Sequence, residues 1–498
     1  MNFLSQLLLV ALCLVHAAHS SPSLGRSSDL RARTISVLSS QSWSDSTLSF
    51  PGAREFNEST QRWDIYQAPS FAAALAVGSE EDLVAAAKLA TSYNIPFLAT
   101  GTRHGYGNTI SELQDGLALD LSPLSSIDVD ANAGTVTVGP GVSSADVFDP
   151  VFEAGYSMPT GTCSCVGLIG ATLGAGIGRL SGTHGLMIDA LLSVRVVTAD
   201  GSLLTASETS NSDLFWAIRG AGANFGIVTE ATYRITPITS TYTNVQLIFP
   251  AGSNGTVLDW FADVDISAKW AIGVTMAFNA ETGAAALFVG AVYYGPREEA
   301  LAVLDPILHS NPGPILFTVE DVPWNRLTTL AGFGTDAQTC AKGSIHDIHG
   351  VNMRGRDAGT LREVFELLST FYAEDPAGRG VGVGLEGWSN EAVVAVPDDE
   401  TAFPWRDAQI YTLIQATWTP GDTATQNAVT SVALDIRSRL AATSGYGDLA
   451  VYVNYAIGDE TLEQRYGKRK LPRLSGLKKR YDPRNMFRFH HALPSEYP

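Results

Sequence analysis

His104 and Cys163 are the side chains whose types and settings point to covalent chemistry. His104 lies in Gly101-Thr102-Arg103-His104-Gly105-Tyr106-Gly107, just after Ile95-Pro96-Phe97-Leu98. Cys163 lies in Gly161-Thr162-Cys163-Ser164-Cys165-Val166-Gly167, which runs into Gly174-Ala175-Gly176-Ile177-Gly178. Both groups are nucleophiles, and each sits on glycine-dense backbone that can close around a flat ring. Together they suggest a covalently tethered flavin. Tyr452-Val453-Asn454-Tyr455 adds two phenols that could handle a proton. An ordinary phenol titrates near ~10, so a base role needs local stabilisation of phenolate, and packing is the alternative.

The glycine turn is not a Rossmann fingerprint. Gly174 and Gly176 have the right spacing, but Arg179 occupies the third required position. Backbone N–H groups on such a turn can still approach a pyrophosphate.

Alternating signals must position these loops. Ser79 with Glu80-Glu81-Asp82 predicts a helix start, and strands are expected at 96–99, 116–121 and 135–138. Asp200-Gly201 marks a hairpin within 192–205. After Pro237, strands at 243–249, 270–278 and 285–294 recur with helices at 297–308, 360–370 and 425–441, which predicts an antiparallel sheet flanked by helices. The Ser- and Arg-rich stretch 21–50 reads as a flexible lead-in.

The 498 residues suffice for two large domains, and 45% hydrophobic against 17% charged residues supports a substantial core. A formal charge of −19 argues against nucleic acid and anionic membranes as partners. The Lys/Arg cluster 468–488 reads as a solvated or structural surface. Residues 1–20 read as a secretory signal peptide, and no later run is apolar enough to span a bilayer. Asn57-Glu58-Ser59 and Asn254-Gly255-Thr256 are glycosylation sequons that fit secretion. Without Cys13, three cysteines remain, so Cys163, Cys165 and Cys340 cannot all pair internally. No metal site is read.

An ordered motif series carries a resemblance. It runs through Gly101–Tyr106, Leu119-Asp120-Leu121-Ser122, Val138-Gly139-Pro140-Gly141, Gly161-Thr162-Cys163, Leu173–Gly178, His184-Gly185-Leu186 with Asp189, and Asp213–Gly220 into Asn224–Thr229. It continues through Thr401-Ala402-Phe403-Pro404-Trp405-Arg406, Tyr452–Tyr455 and Tyr481-Asp482-Pro483. The chain resembles the berberine-bridge-enzyme-like oxidases of the vanillyl-alcohol-oxidase superfamily. The resemblance implies an α+β, two-domain fold: an FAD-binding domain plus a substrate domain with an antiparallel sheet flanked by helices. The expected division is a signal peptide at 1–20, a lead-in at 21–62, the FAD-binding domain at 63–240, the substrate-binding domain at 241–449 and a C-terminal return at 450–498.

The resemblance also implies bonds from His104 to the flavin 8α-methyl and from Cys163 to flavin C6. Gly101, Thr102, Arg103, Gly105, Tyr106, Gly167, Gly174, Gly178, Ile227 and Asn454 are the further cofactor-binding candidates. Tyr455 and Tyr452 are the catalytic candidates. Thr102-Arg103 replaces the usual glycine pair, and Gly105 replaces a common Ser. Some relatives use a carboxylate on the strand before Thr401–Arg406. Counting back from Arg406 places that position at Ala395, within an apolar run 392–396 read as strand. Glu386, Trp388, Glu391 and Gln415 are read as pocket-shaping rather than catalytic. The implied function is a secreted FAD-linked oxidase that takes a hydride from a small alcohol of a secondary metabolite, with dioxygen as acceptor and hydrogen peroxide as product. A carbohydrate oxidase and a non-catalytic flavin-binding secreted protein are the alternatives.

Overall fold

The computed structural model describes residues 23–497, with side chains from residue 29 onward. The signal-peptide reading lies outside them. The stretch expected to be a flexible lead-in instead forms the helix Ser23–Ser39 and the strand Thr47–Ser49, which pairs antiparallel with Phe71–Ala76. Thr34 and Leu38, one helical turn apart, are fully buried, so a sparse apolar stripe anchors the helix despite its polar composition.

Two small sheets build the first half. A four-stranded sheet orders Thr47–Ser49, Phe71–Ala76, Gly116–Asp120 and Phe97–Thr100, with the last three parallel. The helix Glu80–Ser92 bridges two of these strands, and Ser79 caps it by accepting from the Asp82 N–H at 3.3 Å. A five-stranded antiparallel sheet follows, in which the Asp200-Gly201 turn joins Leu191–Val197 to Leu203–Ser207.

The second half is a seven-stranded antiparallel sheet. Its order is Leu316–Val322, Tyr242–Pro250, Ala284–Tyr294, Trp270–Asn279, Gly382–Trp388, Ile410–Ala416 and Asp347–Met353. The helices Asn254–Asp263, Ala358–Glu374 and Thr423–Ala442 pack on one face over Val383, Leu385, Ile414 and Val351. Strand alternation then sends Glu386, Gln415 and Ile348 to the opposite face, which looks toward the glycine loops. The chain after 450 crosses back over this face. Gly350 permits that crossing, because a Cβ there would stand 2.8 Å from the Tyr455 carbonyl oxygen.

The apolar run after Trp388 is not a strand. Glu391–Ala395 forms a helix, with Val394 and Ala395 exposed. The strand before Thr401–Arg406 is therefore Gly382–Trp388, and the carboxylate on it is Glu386 rather than the vacant position at Ala395.

Candidate active site

The loops 97–106, 161–178 and 452–455 close on one cavity of about 440 Å³, whose far wall holds Ile348, Glu386, Leu413 and Gln415. Glycine is a steric necessity along the near wall. A Cβ at Gly101 would lie 2.0 Å from the Pro140 carbonyl oxygen, and one at Gly178 would lie 2.0 Å from that of Thr160. A Cβ at Gly174 would lie 2.1 Å from Asn454 Oδ1, and one at Gly167 would lie 3.1 Å from Thr102 Oγ1.

His104 stacks on Trp63 at 4.2 Å, and Trp63 stacks on His346 at 3.6 Å behind it. Burial, assisted by His346, lowers the His104 pKa to about 4, so the ring is neutral at pH 7. Its Nε2 has no hydrogen-bond partner. A ring nitrogen of His104 lies within 4.8 Å of the Cys163 Sγ. Cys165 and Cys340 form a disulfide, which leaves Cys163 as the free thiol among the described residues. Burial pushes that thiol up to about 11. The Tyr106 hydroxyl and His490 Nδ1 are likewise buried and unpartnered, and both residues line the cavity.

The two tyrosines separate in role. The Tyr452 hydroxyl accepts from the Gly176 N–H at 3.0 Å and from Asn454 Nδ2 at 2.7 Å, so it braces the glycine turn. Asn454 also donates to the Ala171 carbonyl at 2.9 Å. The Tyr455 hydroxyl instead donates to Glu386 Oε2 at 2.8 Å. Burial and the adjacent Glu386 raise the Tyr455 pKa well above that of an ordinary phenol, which opposes phenolate formation. Burial raises Glu386 to about 7, against the opposing pull of Tyr455 and Arg179. The carboxyl, not the phenol, is the member of the pair that ionises near neutral pH and can then accept a proton.

The remaining candidates sort by position. Gly105, Tyr106 and Ile227 line the cavity. Arg103 has φ +61, and its guanidinium turns to a buried ion pair with Asp120, so it staples the loop. Glu391 is solvent-exposed and accepts from the Ala268 N–H at 2.7 Å, away from the cavity. Trp388 is buried beside Arg179. Asn57 is exposed, while the Asn254 amide donates to the Ala251 carbonyl. In the 468–488 cluster, Lys478 is fully buried on Asp482, and Lys470 is buried on Asp398 and Thr401. Sequence reasoning missed Trp63 and His490 as wall residues, and His346 as the ring stacked behind Trp63. The signal that could have singled out Glu386 is the alternation Gly382-x-Gly384-x-Glu386 with buried Val383 and Leu385.

The glycine cradle, the orphaned polar atoms and the neutral imidazole beside a thiol fit a flavin dinucleotide. Fold and site thus define a flavin-linked oxidoreductase. The family described as FAD binding domain matches residues 71–207, and that described as Berberine and berberine like matches 451–494. The chain is 50% identical over 455 residues to the FAD-linked oxidoreductase OXR1 of Pyricularia oryzae, covering 91% of this chain and 89% of the relative. It is 44% identical over 502 residues to the FAD-linked oxidoreductase srdI of Neurospora crassa, covering 100% of both. Chitooligosaccharide oxidase shares the fold with a TM-score of 0.79 at 20% identity, over 94% of this chain and 100% of that one. So does 6-hydroxy-D-nicotine oxidase of Arthrobacter nicotinovorans, at 0.77 and 21%, over 91% and 99%. The chain belongs to the berberine-bridge-enzyme-like FAD-linked oxidoreductases of the vanillyl-alcohol-oxidase superfamily.

Proposed function

We propose that this protein is a secreted oxidase of a small secondary-metabolite alcohol, with FAD bonded through His104 and also through Cys163. The observation that carries the catalytic reading is the Tyr455–Glu386 hydrogen bond, which faces the same cavity as His104 and Cys163. FAD held there supplies the two-electron acceptor for a hydride from the carbinol carbon, and dioxygen removes the electrons as hydrogen peroxide. Glu386 takes the alcohol proton, and Tyr455 orients that carboxylate through its own O–H. The product is the carbonyl compound. Tyr452 and Asn454 hold the glycine turn, and Gly101, Gly167, Gly174 and Gly178 leave room for the cofactor. Neutral His104 offers an unpartnered nitrogen for the covalent bond.

Secretion is supported by the apolar N-terminal run and by a disulfide, a bond that persists in oxidising compartments. No described helix is long and apolar enough to cross a membrane. Asn57 and Asn254 are the proposed glycan sites.

The test is direct. Purified protein should stay yellow after acid precipitation, and an alcohol panel should bleach it anaerobically and release peroxide in air. Proteolysis should yield flavin on peptides containing His104 and Cys163. Cys163→Ala should leave the histidyl bond alone. A colourless precipitate would remove the covalent reading. Turnover of oligosaccharides instead of alcohols would remove the substrate class.

A further inference from the structure

Nothing polar sets the rotation of the His104 ring. Its Nε2 is buried without a partner, and among the described residues no hydrogen bond from another residue reaches either ring nitrogen. What limits the ring is a flat contact: the imidazole lies on the Trp63 indole at 4.2 Å with 17° between the planes. Trp63 is itself fixed from several sides. Its backbone N–H donates to the Arg103 carbonyl at 3.1 Å, and its carbonyl accepts from the Gly343 N–H at 3.1 Å. The indole Nε1 donates to the Thr339 carbonyl at 2.6 Å, which stops the ring from turning in its own plane. His346 backs the indole at 3.6 Å and is almost parallel to it, at 4°. That backing ring is held in turn, with its Nδ1 3.0 Å from Gln415 Nε2 and its backbone N–H donating to Asp64 Oδ1 at 3.0 Å. Trp63 is 4% exposed and lines the same cavity as His104 and Cys163.

A nitrogen that bonds to carbon must arrive along one direction, and a misplacement of about 1 Å slows such a step by about 10²-fold. An imidazole free to turn about its Cβ–Cγ bond would sweep through many directions, because that torsion is broad. A clamped plane beneath it leaves few. We propose that Trp63 is the positioning residue for the flavin tether: its clamped indole holds the His104 ring in the plane from which a ring nitrogen meets the flavin 8α-methyl carbon. This rests on the reading that His104 carries the flavin. In the bond-forming reaction one methyl C–H and the imidazole N–H give way to one C–N bond. The two protons and two electrons released reduce dioxygen to hydrogen peroxide. Trp63 supplies neither protons nor electrons and acts through geometry alone.

The experiment follows the attachment itself. Full-length apoprotein from a riboflavin-starved host is mixed with saturating FAD in air, and flavin on the His104 peptide is measured by mass spectrometry at intervals. At about pH 8 the imidazole is neutral whether burial holds it at about 4 or exposure returns it to its ordinary value, so the rate reports aim rather than protonation. Trp63→Leu should slow attachment by about 10²-fold. Trp63→Phe, which keeps a flat ring without the N–H, should stay within about ten-fold of the parent. His346→Leu keeps Trp63 but removes the plane behind it, and should be slower by about three- to ten-fold. It tests the clamp even where Trp63→Leu does not fold. Melting temperature and quenching of FAD fluorescence before attachment verify folding and binding in each variant. A role in packing alone would lower those two and leave the attachment rate of bound FAD unchanged. Parent-like attachment in Trp63→Leu or His346→Leu would overturn the proposal, as would equal losses in Trp63→Leu and Trp63→Phe. Wild-type protein without flavin on the His104 peptide would bring down the tether reading and this proposal together. Wild-type attachment that persists at full rate in Trp63→Leu would bring down this proposal alone.

Discussion

At the residue scale, Glu386 and Tyr455 make different predictions. The carboxyl is raised to about 7 chiefly by burial, and a base works only when ionised. Flavin reduction should therefore speed up as pH rises through about 7 and level off above it. Glu386→Gln should slow reduction by about 10²–10⁴-fold and flatten that profile in stopped-flow measurements. Tyr455→Phe removes the O–H that orients Glu386 but leaves the base, so its loss should be smaller, on the order of ten-fold. An equal or greater loss in Tyr455→Phe would return the base role to the phenol. The stability linkage has the opposite sign. A carboxyl raised on folding contributes stability that is complete below about 4.5 and lost as pH rises through about 7. Glu386→Gln should thus melt higher than the parent above pH 7. That His104 and Cys163 meet at one cavity was legible in the sequence, because glycine-dense loops mark close approach of backbone.

At the element scale, long periodic segments were legible and short apolar ones were not. The strands of the large sheet and the helix Arg297–Leu308 follow from period-2 and period-3.6 patterns. Glu391–Ala395 was misread because Ala-Val-Val-Ala-Val has no periodicity that separates a single helical turn from a strand. That error shifted the carboxylate position and hid Glu386, although the Gly-x-Gly-x-Glu alternation was present. The helix Ser23–Ser39 escaped because its buried stripe is only a few residues wide. The glycine turn gives a sharper test of element geometry. Gly178→Ala must displace the backbone at Thr160, two residues before Thr162 and three before Cys163. The expected cost is about 1–3 kcal/mol, with a lower flavin-to-protein absorbance ratio after gel filtration. A variant with unchanged flavin content would show that the turn yields without disturbing the cradle.

At the scale of the whole molecule, two links tie the sheet-bearing half to the glycine loops. Arg406 makes a bidentate pair with Asp189, at 2.7 and 3.1 Å, with both side chains almost fully buried. Arg406→Met would strand the Asp189 carboxylate, and the melting temperature should fall by the equivalent of about 3–5 kcal/mol. The second link is the Cys165–Cys340 disulfide, which spans 175 residues and is flanked by Ser164 donating to Asp336 through its N–H at 3.0 Å. It joins the loop that carries Cys163 to the segment that follows Gly332. The Cys163 Sγ lies 3.5 Å from that of Cys165, so the bridge and the free thiol move as one unit. In Cys165→Ser/Cys340→Ser, loss of the crosslink should cost about 2–5 kcal/mol. More telling is the attachment pattern. The His104 loop is also held by the Arg103–Asp120 pair, which lies outside the Cys340 segment, so flavin on the His104 peptide should persist. Flavin on the Cys163 peptide should fall, because the thiol is no longer held in register. Full recovery of both flavinylated peptides by mass spectrometry would mean that the bridge stabilises the fold without aiming the thiol.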